Sequence, residues 1–489
     1  MSALHEIDTG RPAAWLCAAV ASLMLAGCTV GPDYSPPETA LSAGWHAPLE
    51  GGLSGEAADP NTLAMWWTTL GDPALSALIE RAVAGNLDVR SAASRIRESR
   101  ARRNIARGGQ WPSVNASASA TSSRTDTNVG FDTNGQVYSA GLDAGWNLDL
   151  FGGVRRSIEA ASADLGASEQ DLGDVLVTLL AETGLNYVEV RTFQARLAAA
   201  EASLQTQDES YQLTLWRSQA GLDDELAVYQ ARYNLESTRA QIPTLRTGLQ
   251  EAMNRIAVLT GKEPGELHEV LEESKPIPVP PAKVAVGVPA DMVRRRPDVR
   301  RAERDLAAQT ARVGVATADL YPRLTLSGSI GIETQSFREP GASRTSYVRG
   351  GPALSWAVFD ATIRPNIEVQ SALQEQALIR YEAAVLSSLE EAENAIIAYA
   401  QEQRRRDNLR QATEAARAAA ELAQFKYQAG LTDFSNVLDA ERSLLSLQDQ
   451  VHQSDGTVTA NVIRLYQALG GGWTSLADVP PTPEPVEQL

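Results

Sequence analysis

The chain has 489 residues, 43% of them hydrophobic and 21% charged, with a formal net charge of −18. That composition is foldable and too long for one ordinary core, and its acidity argues against nucleic acid as a partner, which rewards basic surfaces. Four scattered His (5, 46, 268 and 452) and two Cys (Cys17 and Cys28) leave no disulfide framework and no Cys-rich metal site.

From the N-terminus, Ala13 to Leu25 form an apolar run broken only by Ser22. It is too short to span a bilayer and right for the apolar region of a secretory signal. It ends in Leu25-Ala26-Gly27-Cys28, the pattern of a bacterial lipobox. Cleavage over residues 1–27 is expected to leave Cys28 as the new terminus, carrying a covalent diacylglycerol and an N-acyl chain. Each buried chain CH₂ contributes roughly 0.8 kcal/mol, so several chains anchor firmly. The leader carries Glu6 and Asp8 against Arg11, so its start is not clearly positive. No other stretch approaches 18 consecutive apolar residues, so any membrane crossing has to be made by strands closed into a barrel.

Past a lipidated segment over 28–70, the chain reads as a duplicated unit. Trp111-Pro112 opens a small-residue run, and Tyr321-Pro322 opens another 210 positions later (321 − 111 = 210). Asp88-Val89-Arg90 and Trp146 recur at the same offset, as Asp298-Val299-Arg300 and Trp356. Ala220-Gly221-Leu222 recurs as Ala429-Gly430-Leu431 at an offset of 209 (429 − 220 = 209). The first repeat is placed at 71–263 and the second at 289–472. A proline-rich connector lies over 264–288 and a tail over 473–489.

Each repeat reads helix, strand, strand, long helix, Ala-Gly-Leu break, helix, with its strand pair at about 112–150 and about 321–360. Tyr138 to Leu150 alternate apolar and polar residues with a strict period of two, which gives one apolar and one polar face. Leu324, Leu326, Ile330 and Ile332 alternate likewise, and so do Val348, Leu354, Trp356 and Val358. Such strands suit a barrel wall, and Trp111, Tyr138, Trp146, Tyr321, Tyr347 and Trp356 are placed to supply its interfacial aromatics. Four strands do not close a barrel, and open edges in lipid leave backbone groups unpaired. The strands therefore have to be shared among symmetry-related copies; physics alone permits two, three or four.

Long helices follow each pair, at about 154–260 and about 365–470. Asn366 to Ala429 contain neither Gly nor Pro. At ~1.5 Å per residue that run is roughly 95 Å long. Val385, Leu389, Ala392, Ile396 and Tyr399 trace a coiled-coil seam, and Leu165, Leu172, Leu176 and Leu179 trace its counterpart.

With these residues in place the chain resembles the TolC-like outer-membrane efflux channels, in their lipoprotein branch (the OprM and nodulation-T type). The resemblance rests on Cys28 through Tyr34, Trp66-Trp67 followed by Asp72-Pro73, Arg294 through Val299, Tyr321-Pro322 and the twin Ala-Gly-Leu breaks. It implies an α+β membrane protein, a homotrimer in which each protomer gives four strands to one twelve-stranded β-barrel. A long α-helical barrel would stand in the periplasm. Ala220, Gly221, Leu222, Ala429, Gly430 and Leu431 would be helix tips that dock a periplasmic adaptor (membrane fusion) protein, itself bound to an inner-membrane RND pump. Asp433, Asn436, Asp439 and Arg442 would form a periplasmic gate, Asn436 standing where relatives carry a second Asp. The implied function is a passive exit duct for small molecules, with no metal and no cofactor beyond the lipid on Cys28. A duct for protein secretion and a non-pore structural lipoprotein are the alternatives. No phosphate-binding Gly-Lys-Ser/Thr loop, metal-binding His pair or nucleophile elbow speaks for an enzyme.

Overall fold

The computed structural model describes residues 29–38, 41–125, 133–335 and 344–474. The lipobox and Cys28 lie outside the described residues, as does all but the start of the tail. In chain order the elements begin with β1 (Leu53–Ser54), α1 (Pro60–Ala64), a 3-10 turn (Trp66–Leu70), α2 (Pro73–Gly85) and α3 (Leu87–Gly108). The strands β2 (Ser113–Thr125) and β3 (Thr133–Leu148) follow, then α4 (Gly153–Gln219), α5 (Glu225–Leu259) and α6 (His268–Leu271). The second half holds β4 (Val284–Ala285), α7 (Pro289–Arg295), α8 (Pro297–Ala318), β5 (Arg323–Thr334), β6 (Arg344–Ser355), α9 (Ile363–Gln428) and α10 (Phe434–Ala468). The order α3-β2-β3-α4-α5 thus recurs as α8-β5-β6-α9-α10. The partners match in size: α4 and α9 have 67 and 66 residues, and α5 and α10 have 35 each. No helix among the described residues is long and apolar enough to cross a membrane.

The chain divides into two compact units. The first combines the N-terminal residues to Pro37 with Arg95–Ser168 and Arg301–Tyr381. It holds an antiparallel sheet of four strands in the order β2-β3-β5-β6. Each aromatic-Pro pair marks the switch from helix to strand. At the end of α3 and of α8 the last amides turn to i→i+3 bonds (Trp111 to the Gly108 carbonyl, Tyr321 to the Ala318 carbonyl). Proline then disfavours further helix and lacks a ladder donor. The register aligns the alternation across all four strands. Ala116, Leu142, Ile330 and Val348 form one row, and Asn115, Asp143, Ser329 and Arg349 the next, on the opposite face.

The same unit seats the first described residues on its helices. Arg156 is buried, with its Nη2 2.6 Å from Asp33, its Nη1 2.8 Å from Glu159 and its Nε donating to the Val30 carbonyl at 3.1 Å. Gly31 crosses Gly314 so closely that a Cβ on Gly31 would stand 2.4 Å from the Gly314 Cα. Gly31 has no room for a side chain there, and a Cβ on Gly314 would press on the Arg156 side chain at 2.9 Å.

The second unit combines Glu38–Ser94, Glu169–Arg300 and Glu382–Leu489. Its core centres on Trp66, 1% exposed, stacked on Tyr466 at 5.8 Å and edge-on to Trp67 at 5.9 Å. Asp72 caps α2 through the amide of Ala74 and accepts the Tyr187 hydroxyl at 2.5 Å. The proline-rich connector contributes β4, which pairs in parallel with β1 and buries Val284 and Val286.

Candidate functional site

The wall comes first. Leu142, Ile330, Leu326, Val348 and Leu354 are exposed along one face of the sheet, whose polar face carries Ser, Gly, Asn and Asp. The outer edges of β2 and β6 have no strand partner among the described residues. The aromatics are distributed less evenly than their spacing suggests. Trp111 and Tyr321 stand just before β2 and β5, and the indole N–H groups of Trp146 and Trp356 donate to the carbonyls of Gln110 (2.9 Å) and Leu320 (3.0 Å). All four therefore gather at the helix-proximal end of the sheet. Two expectations change here. β6 stops at Ser355, so Trp356 and Val358 lie beyond the strand: Ser355 pairs with Arg323, and the preceding Pro322 has no amide to extend the ladder. Tyr347 shares a register row with Gly141 and Gly331 and stands on the polar face, not among the lipid-side aromatics.

The two Ala-Gly-Leu breaks adopt one geometry. Gly221 (φ 73°) and Gly430 (φ 69°) are left-handed. The Leu222 amide reaches back to the Arg217 carbonyl at 2.9 Å, and the Leu431 amide to the Lys426 carbonyl at 2.8 Å. Gly221 and Gly430 themselves donate to Ser218 and Tyr427. This is the Schellman closure of a helix end. Ala220, Gly221, Leu222, Ala429, Gly430 and Leu431 are all solvent-accessible, together with Trp216 and Phe425. Beneath them the two turns are tied together. Tyr427 donates to Asp223 at 2.5 Å, Arg217 pairs with the same carboxylate at 2.8 Å, and its guanidinium lies over the Tyr427 ring. Burial first, and then the bond to Asp223, push the Tyr427 phenol up to about 12. Phe434, Val437, Leu438 and Ala231 complete this small core.

The residues past the second turn divide between surface and interior. Asp433 precedes α10 and is exposed; Asn436 is also exposed, its amide donating to Thr432 at 2.9 Å. Asp439 is exposed on α10. Arg442 turns instead to α5, its Nε donating to Asn234 at 3.1 Å and its guanidinium 5.0 Å from the Tyr233 ring centroid. The sequence reading missed Glu441. It accepts from Ser210 of α4 at 2.8 Å and from Asn234 at 3.5 Å, and burial raises its pKa. The spacing Phe434, Val437, Leu438, Glu441, Leu445 contained the signal, since it puts Glu441 on the apolar stripe of α10.

Comparison with known proteins meets this geometry. The family model described as outer membrane efflux protein matches residues 78–262 and 288–471, one match on each half of the chain. The chain belongs to the outer membrane efflux protein family. Nodulation protein T of Rhizobium leguminosarum bv. trifolii is 33% identical over 93% of this chain and 97% of its own length. The toluene efflux pump outer membrane protein TtgI of Pseudomonas putida is 28% identical over 93% of this chain and 97% of its own. Among solved structures, the outer-membrane channel OprN superposes with a TM-score of 0.84 at 39% identity, covering 91% of this chain and 100% of that one. This member of the outer membrane efflux family therefore has the TolC-like α+β fold and is an outer-membrane efflux channel. In that setting the apolar sheet face is the lipid face, and the polar face lines the bore.

Proposed function

We propose that three copies close the open sheet edges into one twelve-stranded barrel (3 × 4 strands) and act as the passive exit duct of a tripartite RND-type efflux system. The observation that carries this is the sheet itself, four strands with a continuous apolar face and, among the described residues, two long unpaired edges. Such edges are costly in lipid, and cyclic closure removes them. Because the order β2-β3-β5-β6 is antiparallel throughout, β6 of one copy meets β2 of the next in antiparallel sense as well.

In this reading Cys28 bears the lipid, and the Arg156–Asp33 clamp fixes the chain that follows it. The exposed turns at Gly221 and Gly430 dock a periplasmic adaptor, and the driving energy comes from an inner-membrane pump. Relatives named for toluene efflux and pyoverdine export support small molecules as the cargo class. Asp439, exposed on the surface of α10, is assigned to the periplasmic constriction together with Arg442, one turn on, whose guanidinium is held within the protomer by Asn234 and Tyr233. The test is single-channel recording in planar bilayers. Asp439→Ala combined with Arg442→Ala is expected to raise conductance several-fold; unchanged conductance would remove the gate from these residues.

A further inference from the structure

Tyr347 and Arg349 stand two residues apart on β6, on the polar face of the sheet. Four register rows span all four strands on that face. Apart from Tyr347, Arg349 and the acids Asp143 and Glu333, every position in them is Gly, Ser, Thr or Asn. Most of this wall is therefore thin, and Tyr347 and Arg349 are its bulky exceptions.

Their geometry is built. Tyr347 starts on the edge strand β6 and lies across β5 toward β3. A Cβ on Gly331 would stand 2.6 Å from the Tyr347 hydroxyl oxygen, and one on Gly141 3.1 Å from it. The two glycines thus form a flat bed that no other residue type would leave open. Gly331 is buried under the ring. Arg349, two residues on and on the same face, carries its guanidinium over that ring, 5.0 Å from the centroid. The aromatic face favours a cation there, and Arg349 is exposed to solvent. Asp143 is engaged by Ser117 at 3.1 Å.

We propose that Tyr347 and Arg349 form the constriction and the charge filter of the barrel bore, a ring of ring-mounted guanidiniums that offsets the carboxylates of Asp143 and Glu333 on the same face and raises the passage of anionic small molecules relative to cations. The inference rests on the reading of the sheet as one part of a closed pore. In each copy Tyr347 narrows the bore by lying on the wall, and Arg349 supplies the one positive charge in these four rows against the carboxylates of Asp143 and Glu333. Low-dielectric walls focus that field, so a few charges decide selectivity.

The test uses the full-length protein with Arg349→Cys, reconstituted in planar bilayers under a KCl gradient. It is recorded both alone and with Asp439→Ala and Arg442→Ala, so that a restriction in series does not mask the effect. The unmodified protein, whose Cys17 and Cys28 lie in the leader and at the acylation site, is the control. Arg349→Cys is expected to move the reversal potential toward that of K⁺. A cationic thiosulfonate reagent should return it to the parent value, and an anionic one should drive it further away. Tyr347→Ala should raise conductance in the same recordings. Channels that form but ignore both reagents would overturn the filter and leave the pore reading intact. Failure of the parent protein to form any channel would overturn the pore reading and the filter with it.

Discussion

Gly221 and Gly430 carry the helix reversals because a Cβ is expensive in the left-handed region, not because space is short. Nothing lies within 4 Å of a Cβ built on either. The expected cost of Gly221→Ala is therefore backbone cost alone, about 1–2 kcal/mol, confined to the turn. Amide exchange at the 214–227 segment should rise while exchange in the Trp66 core stays constant; a rise in both would mean that the turn is coupled to global stability. Glu441 makes a second prediction at this scale. Its folded pKa is raised from 4.5, chiefly by burial, so the ionised form carries a penalty in the folded state. The stability it contributes is complete below the unfolded value and is lost as pH rises through the folded one. The turn should accordingly be better protected, after correction for intrinsic exchange, as pH falls through the interval above 4.5. Glu441→Gln should abolish that dependence, and its persistence in this variant would assign it to another group. At this scale the glycines were readable in the sequence, since a Gly after a long helical run has few other uses. The turn of Arg442 toward Asn234 was not, because its partner lies 208 residues away on another helix.

At the scale of elements, the sheet depends on register. A slip by one residue would exchange every lipid-side and bore-side residue. The alternation from Tyr138 onward specifies β3 so strongly that its strand was legible from the sequence. β2, nearly all small and polar residues, was legible mainly through its echo of β5. The end of β6 was not legible, since Trp356 and Val358 keep the alternation while the chain has already left the sheet. α5 resists sequence rules in another way. It runs unbroken through Pro243, which lacks a donor and would ordinarily kink or end a helix. The lipid face is directly testable. Leu142 sits mid-strand, opposite Ala116 and Ile330 in its row. Leu142→Arg is expected to cost about 2–4 kcal/mol, read as loss of heat-resistant assembly on gels. Ser329→Arg on the bore face should leave assembly intact. Equal loss in both variants would contradict the assignment of faces.

On the scale of the whole molecule, the duplicated pattern carried the most information. One strand pair and one helix pair per repeat were visible at an offset of 210 residues (321 − 111 = 210), and the family match falls as one segment on each half. Long-range seating escaped the sequence. Nothing local announces that Asp33 meets Arg156, or that Gly31 packs against the backbone of Gly314. Both contacts fix the chain at Gly31 and Asp33 to the helices that flank the sheet. Closure of the open sheet among copies would pair the outer edges of β2 and β6. The most direct measurement is a single-particle reconstruction of the detergent-purified, lipidated protein. A three-fold particle with twelve strands closed around a central lumen, β6 of each copy hydrogen-bonded to β2 of the next, is the expected result. A monomer with free sheet edges, or an assembly without a lumen, would contradict it.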